Sequence, residues 1–308
     1  MELIKFDLKE KYEIGKVAAA LGEFDGLHLA HQKLILEAVN YAKNKNIKSA
    51  VISFDPHPDF VLGKREDTGY ITPLSDKVRE LEKLGVDYFI VIPFTLSLAK
   101  LKPQEFISAY LNKFKIEELV VGFDYRFGHR GSGDIKLLKE HFNLKVIDKI
   151  TLDNQKVGSN EIREYLLEGD MDLVKHMLGR YYTVSGIVKT GNQVGRTLGI
   201  RTANITIEKD YQTLRHGVYA TFIYFKNKKY FGVCNVGHNP TVNYIKIARI
   251  EVHIFDFEQE IYGEEIKIEF VKFLRPEIKF ATVEKMISAI NEDIKTAKRL
   301  LKATLWKL

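Results

Sequence analysis

The sequence predicts an α/β domain built on a doubly wound parallel sheet, followed by a small antiparallel β-barrel with a C-terminal helix. Three observations carry this. Short apolar runs alternate with helix-period segments up to about residue 150. From Tyr182 onward, strand-like runs follow one another, several separated by hairpin-type turns such as Lys226-Asn227-Lys228-Lys229. The end, Thr282 to Leu301, has helical spacing. A chain of 308 residues accommodates two domains, and 45% hydrophobic with 29% charged residues lets each bury a core. The boundary is placed at 180, giving domains 1–180 and 181–308.

In chain order, Val17 to Leu21 reads as a buried strand. Gln32 to Lys43 reads as a helix with Leu34, Ile35, Ala38, Val39 and Ala42 on one face. Ser49 to Phe54 is a second strand, ending in the loop Asp55-Pro56-His57-Pro58. A helix at Pro73 to Leu84 and a strand at Tyr88 to Pro93 follow. Pro103 to Lys113 is a helix opened by proline in its first turn. Glu118 to Phe123 is a strand, Ile135 to His141 a helix and Leu144 to Ile147 a strand. Residues 158 to 178 read as two helices punctuated by Gly169. The second domain has strands at Val184 to Val188, Val218 to Phe225, Tyr230 to Val236, Ala248 to Phe257 and Glu265 to Phe273.

The net charge of +6 fits an anionic small substrate such as a nucleotide. Basic residues are interleaved with acidic ones, with no run marking a nucleic-acid track, so no specific nucleic-acid partner is expected. Cys234 is the single cysteine, which excludes an intrachain disulfide and a cysteine-based zinc site. Met1 to Tyr12 is charged and lacks an apolar signal core, and no stretch is as long as a membrane span. A soluble, cytoplasmic protein is expected.

The stretch from Gly22 to Gln32 joins the first strand to the first helix. A glycine-bearing turn at a helix N-terminus leaves N–H groups free to receive an anion. His28 and His31 lie one helical turn apart there, so both can address one phosphate. The plain alternative is two surface histidines. Two more polar loops follow: Asp124-Tyr125-Arg126-Phe127-Gly128 at a strand end, and Gly158-Ser159-Asn160-Glu161-Ile162-Arg163 opening a helix. Loops after the strands that end at Leu21, Phe54 and Phe123 can converge, because ligands bind beyond strand C-termini in such sheets.

Together these motifs resemble the adenylyltransferase half of bacterial bifunctional riboflavin kinase/FAD synthetases, within the Rossmann-like nucleotidylyl transferases. That family carries Gly-x-Phe-Asp-Gly-x-His-x-Gly-His, matched here by Gly22, Phe24, Asp25, Gly26, His28 and His31. The resemblance implies that His28 and His31 bind the ATP phosphates and that Asp124 contacts the nucleotide. It implies that Ser159 and Arg163 hold the triphosphate, and that Phe54, Pro56, His57 and Pro58 help form a flavin pocket. Ala30 stands where the family has glycine, and Gly158-Ser159-Asn160 replaces Ser-Ser-Thr.

The second half carries Gly191, then Gly195-Arg196-Thr197-Leu198-Gly199-Ile200-Arg201-Thr202-Ala203-Asn204. Further on come Gly217-Val218-Tyr219, Asn235 to Thr241, Glu251 to Phe257 and Leu274-Arg275. In this order they resemble the riboflavin kinase half of the same family. The resemblance implies that Gly191, Gly195 and Gly199 approach ATP phosphates and that Thr202 and Asn204 ligate Mg²⁺ with ATP. It implies Glu251 as general base and Arg275 near the flavin. Arg201 replaces a family proline; His238 and Val242 also depart from the commoner pattern. The implied partners are ATP, riboflavin and FMN, with FMN and FAD as products. A family member with one active half, or a flavin-sensing regulator on the same fold, is the alternative.

Overall fold

The computed structural model describes residues 1–65, 69–153, 155–190, 200–237 and 249–305. The chain divides into two compact units, Met1–Ser159 and Asn160–Leu308.

The first unit is a six-stranded parallel sheet in the order β1-β4-β3-β2-β5-β6. Its strands are β1 (Glu2–Lys5), β2 (Lys16–Leu21), β3 (Lys48–Asp55), β4 (Tyr88–Pro93), β5 (Lys115–Gly122) and β6 (Leu144–Ile147). The central strand β2 shows why the sheet is covered on both faces. Successive strand residues point to opposite sides. Val17, Ala19 and Leu21 join a core with Phe106, Tyr110, Leu111 and Leu138. Ala18 and Ala20 join another core with Leu34, Ile35, Ala38 and Val39. Those four residues lie on α1 (Leu29–Lys45), whose buried face is the one the periodicity predicts. Asn46 stops α1 in a left-handed conformation, donating its N–H to Ala42 and Lys43 carbonyls.

In this unit a strand, a short helix and a small ribbon escaped the sequence reading. Strand β1 has one inward residue, Ile4, and so no readable alternation. The Asp55–Pro58 loop runs directly into a short helix, α2 (Pro58–Val61). Pro58 takes the first helical position and His57 Nδ1 accepts from Asp59 N–H at 3.1 Å. A two-stranded ribbon, β7 (Thr151–Leu152) with β8 (Gln155–Lys156), is too short to show a period. The helices α3 (Leu74–Lys83) and α5 (Ile135–His141) lie where the pattern puts them; α4 (Pro103–Ala109) starts as expected but stops before Tyr110, and a separate 3-10 turn, Leu111–Lys113, ends the stretch read as one helix.

The second unit opens with α6 (Ser159–Glu168) and α7 (Met171–Leu178), the helices expected either side of Gly169. A closed antiparallel barrel follows, ordered β10-β13-β12-β11-β14-β9. Its strands are β9 (Tyr182–Lys189), β10 (Ala203–Thr206), β11 (Gly217–Phe225), β12 (Lys228–Gly237), β13 (Arg249–Ile254) and β14 (Glu265–Arg275). Strand β10 was not foreseen. It closes the barrel by pairing with both β9 and β13.

The C-terminal helix α8 (Val283–Leu305) lays Ile294, Ala297 and Leu301 against Val218, Ala220, Phe222 and Val233 on the barrel's outer face. A two-pronged ion pair anchors it. Arg275 Nε meets Asp293 Oδ1 at 3.0 Å and Nη2 meets Oδ2 at 2.8 Å. The side chains are 20% and 9% exposed, so removing one partner strands a largely buried charge. Asp293→Ala is expected to lower the stability of the second unit by about 3 kcal/mol. Urea unfolding of the full chain checks this; a loss no larger than that of an exposed carboxylate would contradict it.

Candidate active sites

In the first unit the chain leaves β2 between β3 and β5, where the strand order reverses. Parallel sheets open a crevice at such a point. A cavity of about 260 Å³ lies there. Gly22, Phe24, His28, His31, Asp124 and Ser159, all expected site residues, line it. Glu23, Ala30 and Tyr125 line it too.

The turn from β2 to α1 is tightly wound. Phe24, Gly26 and Leu27 have φ of 53°, 87° and 43°. Glycine tolerates this region, whereas Phe24 and Leu27 adopt it with side chains only 1% exposed. Asp25, also 1% exposed, accepts from the Ile71 and Thr72 N–H groups at 3.3 and 3.1 Å. Asp25 and Gly26 therefore shape the turn without lining the cavity. Ser159, the last residue of the first unit, donates its Oγ to the Asp25 carbonyl of the same turn at 2.8 Å.

His28 is the N-cap of α1, and its Nδ1 accepts from His31 N–H at 3.3 Å. That bond places the imidazole proton on Nε2. The two rings stack with centroids 3.6 Å apart and planes 19° apart, and Phe24 meets His31 edge-on. Burial, then the nearby His28 and Lys77, hold His31 well below the usual histidine range. Its Nδ1 is shielded from solvent and has no hydrogen-bond partner among the described residues. The pair brings two imidazole rings to a positive helix end, suited to a phosphate.

Glu23 was passed over in the sequence. Both its carboxylate oxygens are shielded from solvent and have no hydrogen-bond partner among the described residues. Burial pushes its carboxyl far above the usual range; Lys77 opposes this, and Asp25, Asp55 and Asp59 add to it. Lys77 was missed as well, although its signal was legible: it shares the apolar face of α3 with Leu74, Val78 and Leu81. On the β3 side, Phe54 packs edge-on to Phe94 in the core, Pro56 follows a cis bond and His57 is held by Tyr70. Arg163 belongs to the second unit, where its Nε donates to Gln212 Oε1 at 3.1 Å.

In the barrel, strand register builds the site. Asn204 stands opposite Glu251, and Glu251 opposite Asn235. Directly paired residues share a face, so these three side chains form a row across β10, β13 and β12. The row continues through Val218 to Arg275. A cavity of about 220 Å³ on this outer face includes Thr202, Asn235, Glu251, Arg275 and Glu277 in its lining. Thr202 also lines a smaller cavity, about 100 Å³, with Arg201, Val252, Phe257 and Tyr262. His253 Nδ1 lies 2.7 Å from the Arg201 carbonyl oxygen, to which it donates, fixing the backbone before Thr202. Asn235 Nδ2 donates to Glu277 Oε1 at 3.1 Å. Cys234 faces the interior, and burial pushes its thiol far up, as an inert core residue requires. Gly191, Gly195 and Gly199, and His238 to Val242, lie outside the described residues.

A tight turn at a sheet switch point in one unit, and a carboxylate–amide row on the barrel of the other, are what a two-site transferase acting on phosphate esters needs. The FAD synthetase family model matches residues 10–161 and the riboflavin kinase model residues 178–301. The bifunctional riboflavin kinase/FMN adenylyltransferase of Listeria monocytogenes is 40% identical over 91% of both chains. That of Bacillus subtilis is 38% identical over 94% of both. A Streptococcus pneumoniae crystal structure described as a macrolide-efflux protein aligns with a TM-score of 0.90. It is 28% identical, over 97% of this chain and 99% of that one. Among the described residues no helix is long and apolar enough to cross a membrane. The chain belongs to the bifunctional riboflavin kinase/FMN adenylyltransferase family, with an FAD synthetase domain followed by a riboflavin kinase domain.

The depressed His31 has a consequence for stability. Below its unfolded value the unfolded chain takes up a proton that the folded chain refuses, so stability falls as pH drops. Glu23 acts oppositely: its raised value makes the folded state lose stability as pH rises through it. Comparing wild type with His31→Gln isolates the histidine. Between about pH 7.5 and about pH 5.5 the wild-type melting temperature is expected to fall more steeply than that of the variant. Parallel slopes in scanning calorimetry would show that His31 titrates normally.

Proposed function

We propose that the two sites act in sequence on one flavin, with domains 1–180 and 181–308 as adenylyltransferase and kinase. In the barrel, Glu251 takes the proton from the ribityl 5′-hydroxyl of riboflavin as its oxygen attacks the γ-phosphorus of ATP. The oxygen–phosphorus bond forms, ADP leaves, and FMN results. The observation that supports this most is the register that sets Glu251 against Asn204 on the face where Thr202 lines the same cavity. Mg²⁺ carried by ATP fits the hydroxyl and amide oxygens of Thr202 and Asn204, which are hard, neutral donors, and would neutralise phosphate charge. Thr202 lines both barrel cavities, which suits a residue between nucleotide and flavin. Arg275, already committed to Asp293, serves the flavin as part of a fixed wall. Gly191, Gly195 and Gly199 keep their implied role on the ATP phosphates.

In the first domain, the FMN phosphate attacks the α-phosphorus of a second ATP, and pyrophosphate leaves with FAD formed. The nucleophile is already ionised, so the site needs alignment and charge stabilisation rather than a strong base. The stacked His28–His31 pair at the start of α1 supports this assignment. Asp124, Ser159 and Arg163 serve the nucleotide, and Phe54, Pro56, His57 and Pro58 the flavin. These substrates and a single cysteine suit work in the cytoplasm.

Glu251→Ala is expected to abolish FMN formation from riboflavin while leaving FAD formation from added FMN. His28→Ala is expected to do the reverse. Chromatography of both products from each folded variant is the check; a variant that depressed both activities equally would refute two independent sites. Ala30 lines the phosphate cavity. Ala30→Gly is expected to raise the rate of FAD synthesis if its methyl crowds the nucleotide, and an unchanged rate would show that it does not.

A further inference from the structure

One buried ammonium joins the nucleotide turn to the flavin-side loop of the first unit. The Lys77 side chain is 2% exposed, and its Nζ donates to the Glu23 carbonyl oxygen at 2.9 Å. The same oxygen accepts from Ser53 Oγ at 2.8 Å. The peptide leaving Glu23 is thus clamped from β3 and from α3 together. Lys77 Nζ also lies 5.9 Å from the centre of the Tyr70 ring. Tyr70 Oη accepts from His57 N–H at 2.9 Å and lies 3.3 Å from Asp55 Oδ1, to which it donates.

Charge neutralisation alone does not explain this geometry. Lys77 Nζ stands 3.8 Å from Glu23 Oε1, beyond hydrogen-bond reach, and neither Glu23 carboxylate oxygen has a hydrogen-bond partner among the described residues. The ammonium gives its short bond to the backbone. A buried lysine present only to balance Glu23 would direct that bond to the carboxylate.

We propose that Lys77 is a positioning residue for adenylyl transfer, fixing the Glu23–Phe24 peptide, and with it the turn that carries His28 and His31, against the Asp55–Pro58 loop. This rests on the reading of that turn as the ATP site and that loop as the flavin site. In the reaction an FMN phosphate oxygen forms a bond to the α-phosphorus as the bond to the β-phosphate oxygen breaks, and pyrophosphate carries the electron pair away. Lys77 exchanges no proton in this step. It holds the frame in which the two phosphates line up, and a displacement of about 1 Å there costs roughly 100-fold in rate.

The test is the full-length double variant Glu23→Gln/Lys77→Met, which removes both charges and leaves no unpaired buried carboxylate. FAD synthesis from FMN and ATP is expected to lose about 100-fold in kcat, with KM for ATP changed by less than about threefold. FMN synthesis from riboflavin by the same preparation should be unaffected, and the loss in FAD synthesis is read relative to Glu23→Gln alone, which isolates the part due to Lys77. A double variant with wild-type kcat for FAD synthesis would reduce Lys77 to a counter-ion and overturn the proposal. If calorimetry shows that the first unit of the double variant does not fold, Ser53→Ala is read instead. It frees the other side of the same carbonyl: a lowered kcat at constant KM upholds the clamp, and an unchanged kcat overturns it. His28→Ala, run alongside, separates the two ideas. Wild-type FAD synthesis in that variant sinks the assignment of the ATP site itself, whatever the Lys77 variants do.

Discussion

The turn between β2 and α1 is the constraint on which the adenylyltransferase half depends. Phe24 and Leu27 sit in the left-handed region, where a side-chain-bearing residue costs about 1–2 kcal/mol each. Such a conformation persists only where its surroundings over-determine it. Here they do so from several sides. Both side chains are sunk in the core under α1, Asp25 is held by two backbone amides, and the Glu23 carbonyl takes two donors. The strained turn is thereby rigid, and a rigid turn is what lets two imidazoles stay stacked at a helix start. A relaxed turn would let His28 leave the cap, and the pair would lose its shared aim.

The halves gather their polar groups by different means. The first uses a helix terminus and a loop, so its donors are backbone N–H groups and imidazoles gathered at one point. The second uses strand register, so its polar groups are spaced by the sheet itself and cannot drift along it. Each solution follows from its architecture. A parallel sheet offers strand ends and helix starts on one edge. A closed antiparallel barrel has no such edge and must place chemistry on a face.

Much of this was legible in the sequence, because fold and site were written in different signals that agreed. The fully buried runs at Val17–Leu21 and Ser49–Phe54 and the face of α1 announced a covered parallel sheet. The motif order announced the family. What escaped was written in tertiary contacts. Strand β10 holds Asn204 in a four-residue segment whose composition looks like a turn; only its pairing with β9 and β13 makes it a strand. Glu23 occupies a position the motif leaves open, so nothing in the pattern singled it out. Lys77 resembled any helix lysine until its apolar neighbours were counted, and Tyr70 stands alone in a polar stretch. Asp25 matched the motif, yet its carboxylate holds backbone amides rather than lining the cavity. A motif records that a residue is required without saying what it touches.

The barrel's row of paired residues limits how this enzyme could be redesigned. Glu251 lies on the outer face beside Asn204 and Asn235, while its neighbour Val252 pairs with Cys234 in the interior, both fully buried. With a side-chain period of two, moving the carboxylate one place along β13 would bury it among apolar groups, and sliding the strand by one would turn the core outward. The proposed base at 251 can be relocated only in steps of two residues, about 7 Å at a time. Protein engineers seeking to accept a longer or shorter sugar-alcohol chain on the flavin therefore face a coarse ruler. Fine adjustment has to come from side-chain length at position 251, or from the segment after β14 that carries Glu277.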